Sequence, residues 1–587
     1  MSFSILKAGS SNETQKQDLQ FENESKIAQF YKDRGVFITG GTGYVGSYLV
    51  EKLLRSCSGI RKIYVFMRSK GRQDPMERLK NLTNSPIFDK VRASDPRLFN
   101  KIVLVNGDLT KDKLGLTDED FAKVVDDVSV IFHVAATVRF DEPLNVAVDI
   151  NLIGTRRIIE LSRNLANLSS IVHVSTAYCN YEQDTVEEMV YPAKYTPETL
   201  ISLTKLITEP DVLESLTPHL LDCKPNTYTL TKSAAEILIQ DEASDLPIVI
   251  CRPSVVLSSW KEPVSGWINS MGGPTVLIAL MSQGLLSEMC ASNECLIDII
   301  PLDTVVNTLI LLGWAIQENS LKSVRNSWTH GNSSRIPVIN CTSSEVNPIK
   351  WIQLFQMAAS RFSMYPSGTA IRKPSMTFKD DYNLHRLRIM ILDKLPVKML
   401  LSISNDDERP RYLKCFNNSD KIIGVLCPFT CRQWTFISKN FTSLNRIMSA
   451  HDKKLFGIDV KEINWDTYLV GFIGLIGCCG RGTLMGLRYP GLPIGPDRPM
   501  ASIMLGGGPP GPTGIGLPEP PGPGPPGIGP PGMGPPSIGP PGPPGIGPPG
   551  PPGMEPPGPP GIGPPGPPDI GPPGPVGMGP PGPPRIC

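Results

Sequence analysis

The sequence predicts an α/β fold in which a doubly wound parallel sheet carries helices on both faces. A smaller, mostly helical C-terminal domain and a disordered Pro/Gly-rich tail follow it. Short apolar, β-branched runs alternate with segments of helical periodicity in the first half of the chain. A glycine-rich turn joins the first such run to the first helical segment, as in a βα unit. Proline and glycine dominate the chain beyond residue 490.

Charge and cysteine usage exclude several classes of protein. The 587-residue chain carries 57 Lys and Arg against 56 Asp and Glu, so its net charge gives no indication of a nucleic-acid partner. Its 13 cysteines are scattered and contain no Cys-x-x-Cys pair, which predicts reduced thiols, no metal site and an intracellular, cytosol-facing location. Residues 1–30 are a polar segment without the apolar core of a secretory signal.

The first βα unit predicts a dinucleotide-binding site. "GVFITG" at 35–40 has the composition of a buried parallel strand, and a segment of helical periodicity follows it. Between the two, Gly40, Gly43 and Gly46 form a Gly-x-x-Gly-x-x-Gly turn. Such a turn lets the backbone approach a pyrophosphate at the positive end of the helix.

The second strand indicates which dinucleotide is bound. "KIYVFMRS" ends 22 positions after Gly46, where an NAD-selective site would place an acidic residue on the ribose hydroxyls. This chain has Arg68 there, with Lys70 and Arg72 close by. A guanidinium suits a 2′-phosphate, so NADPH is the predicted cofactor. The alternative is a solvated basic loop.

Later strands add small and polar residues at the same sheet edge. "KIVLVNGD" ends at Asp108, which is placed to touch an adenine edge, and "VSVIFHVAA" ends at Ala135 and Ala136, which would let the cofactor lie against backbone. "SSIVHVST" leads to Ser175 and Thr176. The carboxyl ends of parallel strands meet at one edge, where ligands of such sheets bind.

Tyr228 and Lys232 stand four positions apart in "NTYTLTKSAAEIL", a segment of good helix propensity. Such i,i+4 pairs share one face of a helix and are common on protein surfaces. The glycine turn and the Ser-Thr strand end that precede this pair change its interpretation. Together they resemble the extended short-chain dehydrogenase/reductase superfamily, whose nucleotide-binding domain has the Rossmann fold.

The resemblance extends to one family, the animal fatty acyl-CoA reductases. The motifs that carry it are "VFITGGTGYVG", "AATVRFDE", "VHVSTAYCN", "YTLTKSAAE", "CRPSVV" and "DIIPLDTVVN". "VINCTSSEVNPIKW", "QWTFISKN" and "DVKEINWDTYLVG" are similar to the C-terminal domain of that family. The resemblance to this family covers roughly residues 27–480. It implies reduction of a long-chain acyl-CoA to a primary alcohol through a bound aldehyde, with two NADPH and release of CoA.

Roles for the catalytic candidates fit this chemistry. A hydride added to a thioester carbonyl produces an oxyanion, which needs a hydrogen-bond donor and then a proton. Tyr228 would be the acid. Lys232 would lower the phenol pKa and hold the nicotinamide ribose. Thr176 would hold the carbonyl oxygen, and Ser175 is the weaker candidate because alternation along a strand points it the other way.

The resemblance also supplies a fuller cofactor site and domain bounds. The additional cofactor-binding positions are Thr39, Tyr44, Val45, Leu109, Pro253 and Val255, along with Tyr228 and Lys232. The predicted domains are an NADPH-binding reductase domain at 31–335, a C-terminal domain at 336–489 and a tail at 490–587. Location on a peroxisomal or endoplasmic-reticulum membrane rests on the resemblance alone.

The tail and the apolar stretch at 468–480 suggest contacts outside the active site. From Ser537 to Pro584 the tail consists of six near-copies of an octapeptide whose glycine spacing breaks the three-residue period of collagen. We therefore expect a solvated arm that could recruit domains with aromatic grooves. Residues 468–480 are too few to span a bilayer, which favours a buried or interfacial helix and a membrane surface as partner.

Two other classes of function stay open at this point. Another extended reductase, acting on a nucleotide sugar or a steroid, would share the first domain but lack the "QWTF…INWDTY" region. A scaffold with a proline-rich interaction tail would keep the fold as a relic. The intact Thr176, Tyr228 and Lys232 argue against a relic.

Overall fold

The structure is a computed structural model that describes residues 25–69, 73–269, 272–317, 336–364, 370, 372–379, 381–396, 399 and 423–478. The predictions made for Lys70, for Arg72, for most of the N-terminal segment and for the tail lie outside the described residues.

Among the described residues, seven strands form one parallel sheet, and this confirms the predicted fold class. Its spatial order is β12-β7-β5-β4-β1-β2-β3. The strands are β1 (Gly35–Thr39), β2 (Lys62–Met67), β3 (Ile102–Asn106), β4 (Val128–His133), β5 (Ser170–Val174), β7 (Ile248–Pro253) and β12 (Val338–Cys341). The order reverses at β1, which lies between β2 and β4. A crevice opens at such a reversal, outside the carboxyl ends of the strands.

Both faces of the sheet are buried because successive side chains point to opposite sides and both sides are apolar. In β1, Val36 and Ile38 join one apolar core, whereas Phe37 joins a second core on the other face. In β4, Phe132 joins the first of these cores and Ile131 joins the second.

Helices cover both faces of this sheet. Those of the first 317 residues are α1 (Lys26–Tyr31), α2 (Tyr44–Ser56), α3 (Pro75–Thr83), α4 (Asp89–Ser94), α5 (Asp118–Asp127), α6 (Leu144–Ala147), α7 (Gly154–Asn164), α8 (Pro197–Leu206), α9 (Pro210–Leu221), α10 (Thr227–Glu242), α11 (Pro274–Ser282) and α12 (Leu302–Ala315). A π-helical turn, Val148–Ile153, leads into α7.

The region after residue 336 is mostly helical. Its helices are α13 (Trp351–Met364), α14 (Tyr382–Arg388), α15 (423–430), α16 (Lys439–Ile447), α17 (Ala450–Leu455) and α18 (Trp465–Cys478). The apolar stretch predicted at 468–480 overlaps α18, where Tyr468, Leu469 and Phe472 are buried. No helix in the described parts of the chain has the length and apolar character needed to cross a bilayer.

Eight short strands lie outside the large sheet of the described chain, and three of their pairings join this region to the first. They are β6 (Thr185–Val186), β8 (Val255–Leu257), β9 (Glu288–Cys290), β10 (Leu296–Ile297), β11 (Ile299–Pro301), β13 (Ile349–Lys350), β14 (Thr377–Lys379) and β15 (Thr435–Phe436). β14 pairs with β9, and β15 pairs with β6. β12 lies beyond the predicted boundary at residue 335 and pairs with β7. That boundary stays a prediction.

Candidate active site

In the glycine turn between β1 and α2, backbone segments pack too closely to admit side chains at Gly40 and Gly46. Gly40 adopts a φ of +71°, and a Cβ there would lie 2.8 Å from the Ala135 nitrogen. A Cβ on Gly46 would overlap the Gly40 carbonyl oxygen. Gly43 caps α2, and its amide donates to the Gly40 carbonyl at 2.8 Å. The turn thus presents bare backbone at a helix N-terminus, as a pyrophosphate requires.

Thr39 fixes the neighbouring strand end beside this turn. Its Oγ1 accepts hydrogen bonds from the amides of Val134 and Ala135, each at 3.1 Å, and lies 2.8 Å from His133 Nδ1. The residues predicted after β4, Ala135 and Ala136, are partly exposed there. The structure therefore places Ala135 against the turn, and the cofactor contact expected of both alanines stays a prediction.

Arg68 follows β2 and is exposed. Arg78, on α3, donates to the Arg68 carbonyl and, at 2.9 Å, to Thr42 Oγ1 in the glycine turn. Burial and then the nearby charge of Arg68 lower the pKa of Arg78. Two guanidinium groups therefore lie together at the rim of the turn. The sequence analysis missed Arg78 because only the tertiary contact distinguishes it from other helix-surface arginines.

The other predicted cofactor positions follow β3 or lie near the end of β7. Asp108 Oδ1 accepts from the Thr110 amide at 3.0 Å, and Leu109 is buried beside Gly154. Pro253 ends β7, and Val255 begins β8.

Tyr44 and Val45 open α2, and the Tyr44 hydroxyl donates to the Leu257 carbonyl at 2.7 Å. This bond ties the start of α2 to β8. The positions predicted from β1, β3, β4 and β7 therefore lie at the carboxyl edge of the sheet.

Helix α10 carries Tyr228 and Lys232. It begins after Asn226, whose side chain accepts from the Thr229 amide at 2.9 Å as an N-cap. Lys232 is buried, and its ammonium donates to the Val174 carbonyl at the end of β5 over 2.7 Å. Burial lowers the pKa of Lys232 to about 8, against the opposing charges of Glu236 and Cys179.

Tyr228 lies beside Thr176. Burial raises the pKa of the Tyr228 phenol well above its usual value, the charge of Cys179 adds to this, and a hydrogen bond with Thr176 opposes it. The sequence analysis expected Lys232 to lower this pKa. In the structure the largest effect on the phenol is burial, and the Lys232 ammonium binds the Val174 carbonyl.

Thr176 and Ser175 point to different partners. Thr176 caps the 3₁₀ turn Ala177–Asn180, where its Oγ1 accepts from the Tyr178 amide at 3.3 Å, and it also bonds Tyr228. Ser175 Oγ instead lies 3.9 Å from Cys179 Sγ. Thr176 thus lies beside Tyr228, whereas Ser175 lies beside Cys179, and the donor role of Thr176 stays a prediction.

Asn151 is a site residue that the sequence analysis missed. It lies in the π-helical turn before α7, and its Nδ2 donates to Thr231 Oγ1 at 3.0 Å and to the Thr137 carbonyl at 3.2 Å. Its Oδ1 accepts from the Thr137 amide at 2.9 Å. Asn151 thus fastens the chain after β4 to α10, between Tyr228 and Lys232. No local pattern distinguishes this asparagine from others in a helix.

Two buried histidines lie near Lys232. The His133 and His173 rings are 5.2 Å apart between centroids. Burial lowers the pKa of His133 to about 3 and that of His173 well below its usual value, and the charge of Lys232 lowers both further. Both imidazoles are therefore neutral at pH 7. Lys232 is the cationic member of this group.

An aromatic cluster borders Tyr228 on its other side. Phe140 stacks on Tyr228 with ring centroids 5.8 Å apart, and Phe429 of α15 contacts Phe140 at 5.4 Å. Tyr178 packs edge-to-face on Phe429 at 5.6 Å and on Trp434 at 5.3 Å. The C-terminal region therefore supplies part of the wall beside the phenol, which the sequence analysis did not assign.

Two family models match the chain, each described as a male sterility protein. The first covers residues 38–309 and the second residues 384–477. The second lies in the region that a nucleotide-sugar or steroid reductase was expected to lack. Both halves of the described chain therefore match models with one description.

Curated relatives are similar over most of the chain. "Fatty acyl-CoA reductase 1" of Mus musculus is 35% identical over 447 residues, which cover 76% of this chain and 84% of the relative. The Homo sapiens protein of the same name is 34% identical with the same coverage. The "Putative fatty acyl-CoA reductase CG8306" of Drosophila melanogaster is 35% identical over 446 residues, which cover 76% of this chain and 85% of the relative.

Solved structures share the fold. The reductase domain of a nonribosomal peptide synthetase from Mycobacterium tuberculosis superposes with a TM-score of 0.50 at 17% identity, covering 80% of this chain and 97% of that domain. The matched models and the reductase relatives identify an oxidoreductase with a nicotinamide cofactor. With relatives this similar over most of their length, the chain belongs to the fatty acyl-CoA reductase family.

Proposed function

We propose that this protein reduces long-chain fatty acyl-CoA with NADPH to a primary fatty alcohol through a bound aldehyde and releases CoA. The observation that carries the proposal is the grouping of Tyr228, Thr176 and Lys232 at the carboxyl end of β5, in a member of this family. The relatives' names supply the acyl-CoA substrate. The identity of the product rests on the chemistry of these side chains.

Tyr228 and Thr176 serve the carbonyl oxygen of the substrate. NADPH supplies the hydride when it is bound. The two hydroxyls donate hydrogen bonds to the oxygen as it gains negative charge. The raised pKa of Tyr228 keeps the phenol protonated at neutral pH, so it has a proton to donate. CoA then leaves as a thiolate when the tetrahedral adduct collapses to the aldehyde, and a second hydride and a proton from Tyr228 yield the alcohol.

Lys232 supplies the positive charge of the site. Its ammonium is within one helical turn of Tyr228 and is held by the Val174 carbonyl. The charge favours a phenolate after proton transfer and suits a ribose hydroxyl. Because His133 and His173 are neutral, neither adds a second positive charge beside the Lys232 ammonium.

We expect the activity to decline as the pH rises through about 8, because Lys232 then loses its proton. The measurement is kcat/KM for NADPH from about pH 6 to pH 10, since this parameter reports the pKa values of the free enzyme. Lys232→Arg should lower the rate but remove this alkaline decline, because a guanidinium stays charged. An identical alkaline limb in the arginine variant would exclude Lys232 as its origin.

Arg68 and Arg78 support the choice of NADPH. Arg78 connects the carbonyl that follows β2 to Thr42 of the glycine turn, so both guanidinium groups lie where a 2′-phosphate would reach the rim. These two hydrogen bonds hold the Arg78 side chain in place, whereas Arg68 is exposed. Two cations at this rim have no counterpart in an NAD-selective site, which places a carboxylate on the ribose.

Arg68→Ala and Arg78→Ala should each weaken NADPH binding and leave NADH binding nearly unchanged. A hydrogen bond to a charged group contributes ~1.5–3 kcal/mol, about one to two decades in affinity. Both cofactors are titrated against each variant by nucleotide fluorescence. Arg97→Ala, which removes an exposed arginine paired with Asp95, is the control. Unchanged NADPH preference in both variants would assign the phosphate to Lys70 or Arg72.

The aromatic cluster supports a substrate with a long acyl chain. Phe140, Phe429 and Tyr178 form an apolar surface beside the Tyr228 ring. Acyl chains bind apolar clefts that carry a few convergent polar groups at the reacting end. Tyr228 and Thr176 are such polar groups.

Incubation of the full chain with a panel of acyl-CoAs and either NADPH or NADH tests the proposal. Fatty alcohol, fatty aldehyde and free CoA are measured by chromatography. We expect alcohol and CoA from long-chain substrates with NADPH, with aldehyde at trace level. Accumulation of aldehyde as the final product, or a faster reaction with NADH, would contradict the proposed product or cofactor.

We also propose that a membrane surface contacts α14 and the π-helical turn Ile389–Lys394 that continues it. Leu387, Ile391 and Leu395 follow helical spacing and are 51%, 50% and 58% exposed, whereas Ile389 on the opposite face is 5% exposed. An apolar helix face of this kind lies in the plane of a lipid interface. Contact with a membrane surface would also suit the release of a water-insoluble alcohol product.

The double variant Leu387→Glu/Ile391→Glu should bind vesicles more than about tenfold less, because burial of one such side chain is worth ~1.5–3 kcal/mol. Flotation with phosphatidylcholine/phosphatidylserine vesicles measures the bound fraction. Leu206→Glu alters an isolated apolar side chain that is 79% exposed and serves as the control. Equal flotation of all three proteins would remove α14 from the lipid contact.

A further inference from the structure

Three cysteine sulfurs lie together at the junction of β9 and α15. Cys290 ends β9 and is buried, Cys427 is partly buried on α15, and Cys431 follows α15 and is exposed. Cys431 Sγ lies 3.3 Å from Cys290 Sγ and 3.6 Å from Cys427 Sγ. All three sulfurs are within 4.8 Å of one another. They are separate thiols, since a disulfide bond is about 2.05 Å long.

Backbone contacts hold the three cysteines in place. The Thr430 hydroxyl donates to the Cys290 carbonyl at 2.6 Å, which ties the end of α15 to β9. The Cys431 amide donates to the Cys427 carbonyl at 3.1 Å, so the chain keeps a helical turn through both. β9 is itself paired with β14. The sulfurs are therefore brought together by the fold rather than by flexible loops.

The chemistry of the cluster suits a cation. Thiolates are the form of cysteine that binds metals. Soft sulfur ligands select zinc, copper(I) or iron–sulfur clusters over hard cations such as Mg²⁺.

We propose that Cys290, Cys427 and Cys431 bind one Zn²⁺ ion. With Zn–S bonds of about 2.3 Å, two sulfurs of a tetrahedral site are about 3.8 Å apart, so the observed separations need only a small outward shift. Cys-x₃-Cys is within the ligand spacing of zinc sites. A water molecule would complete the four ligands.

This proposal reverses the sequence-based expectation of no metal site. That expectation rested on the missing Cys-x-x-Cys pair. The third ligand is 141 positions away from Cys431 in the chain, so only the fold places it in the cluster.

A zinc ion here would fix the position of the aromatic cluster. Phe429 lies between the two α15 ligands in sequence, and its ring contacts Phe140, which stacks on Tyr228. Binding both cysteines to β9 would fix this turn of chain. Zinc would then stabilise the wall of the active site without touching the reacting atoms.

The zinc content of the full-length protein tests the proposal and does not depend on the activity or the identity of the substrate. After dialysis against a weak chelator, we expect about one zinc per wild-type chain by elemental mass spectrometry. Cys431→Ser and Cys427→Ser should lose most of it. Cys223→Ser, which alters a partly buried thiol elsewhere, should retain it. Zinc-free wild-type protein, or full zinc in Cys431→Ser, would overturn the proposal.

Cobalt substitution provides a second measurement that remains informative if a cysteine variant folds poorly. Folded wild-type protein that has been depleted of zinc and then titrated with Co²⁺ should develop the thiolate-to-cobalt charge-transfer absorption of a tetrahedral sulfur site. Stoichiometric Zn²⁺ should remove this absorption. A titration without charge-transfer absorption, or a Cys427–Cys431 disulfide in freshly purified protein, would contradict the site.

Discussion

Replacing Tyr228 with phenylalanine is expected to lower fatty alcohol formation by ~10²–10⁴, which is the usual loss when a general acid is removed. The substitution keeps the ring, and with it the stacking on Phe140 at 5.8 Å. It removes the only atom of this side chain that can donate to the substrate oxygen. The hydrogen bond with Thr176 is lost as well. NADPH affinity should change little, because the glycine turn and Arg68 are untouched.

The comparison needs turnover with saturating acyl-CoA and NADPH, together with a fluorescence titration of NADPH. Tyr195→Phe removes another phenol, one whose hydroxyl lies 3.5 Å from the His219 carbonyl near the surface, and is the matched control. Turnover of Tyr228→Phe within a few-fold of Tyr195→Phe would remove the phenol from the mechanism. Loss of NADPH binding would indicate a structural effect instead.

Arg252→Met should destabilise the fold by ~3–5 kcal/mol, the cost of leaving one member of a buried ion pair alone. Arg252 on β7 and Glu236 on α10 are 0% and 1% exposed. They share two hydrogen bonds of 2.9 and 2.6 Å, and the guanidinium also donates to the carbonyls of Glu187 and Met189. Without Arg252, both carbonyls lose this donor, and within the described chain the Glu236 carboxylate keeps only the weak Cys179 thiol as a side-chain donor.

Urea unfolding followed by circular dichroism measures this loss. Arg163→Met, which breaks the exposed pair with Asp245, is the control and should cost less than about 1 kcal/mol. The double variant Arg252→Met/Glu236→Leu should recover part of the stability, since no charge is then left buried. If Arg252→Met unfolds at the same urea concentration as Arg163→Met, the pair contributes nothing to the stability of α10 on the sheet.

The elements that could be predicted from the sequence are those encoded by local patterns. The run at 35–39 contains three successive apolar residues, Val36, Phe37 and Ile38, so a strand buried on both faces was predictable before the sheet was seen. Gly40, Gly43 and Gly46 are spaced for a tight turn, and the fold uses them as one. Tyr228 and Lys232 share a helix, and that helix was predictable from their neighbours.

The features that could not be predicted depend on contacts between distant segments. Arg78 becomes a rim residue only because α3 folds back on the glycine turn. Asn151 gains its role from Thr231, which is 80 positions later in the chain. The direction of the Tyr228 pKa shift depends on how completely its surroundings exclude water. No spacing of residues in the sequence alone indicates any of these three features.

The pairing of β15 with β6 has a consequence for synthesis of the chain. Trp434 donates to the Tyr181 carbonyl across 253 positions. A ribosome adds about 5–20 residues per second, so Tyr181 is made about 13–50 s before its partner. Throughout that interval the aromatic rings beside Tyr228 lack Phe429 and Trp434 and present bare apolar surface. The nascent polypeptide therefore offers chaperones a binding site next to Tyr228 until most of the described chain has left the exit tunnel.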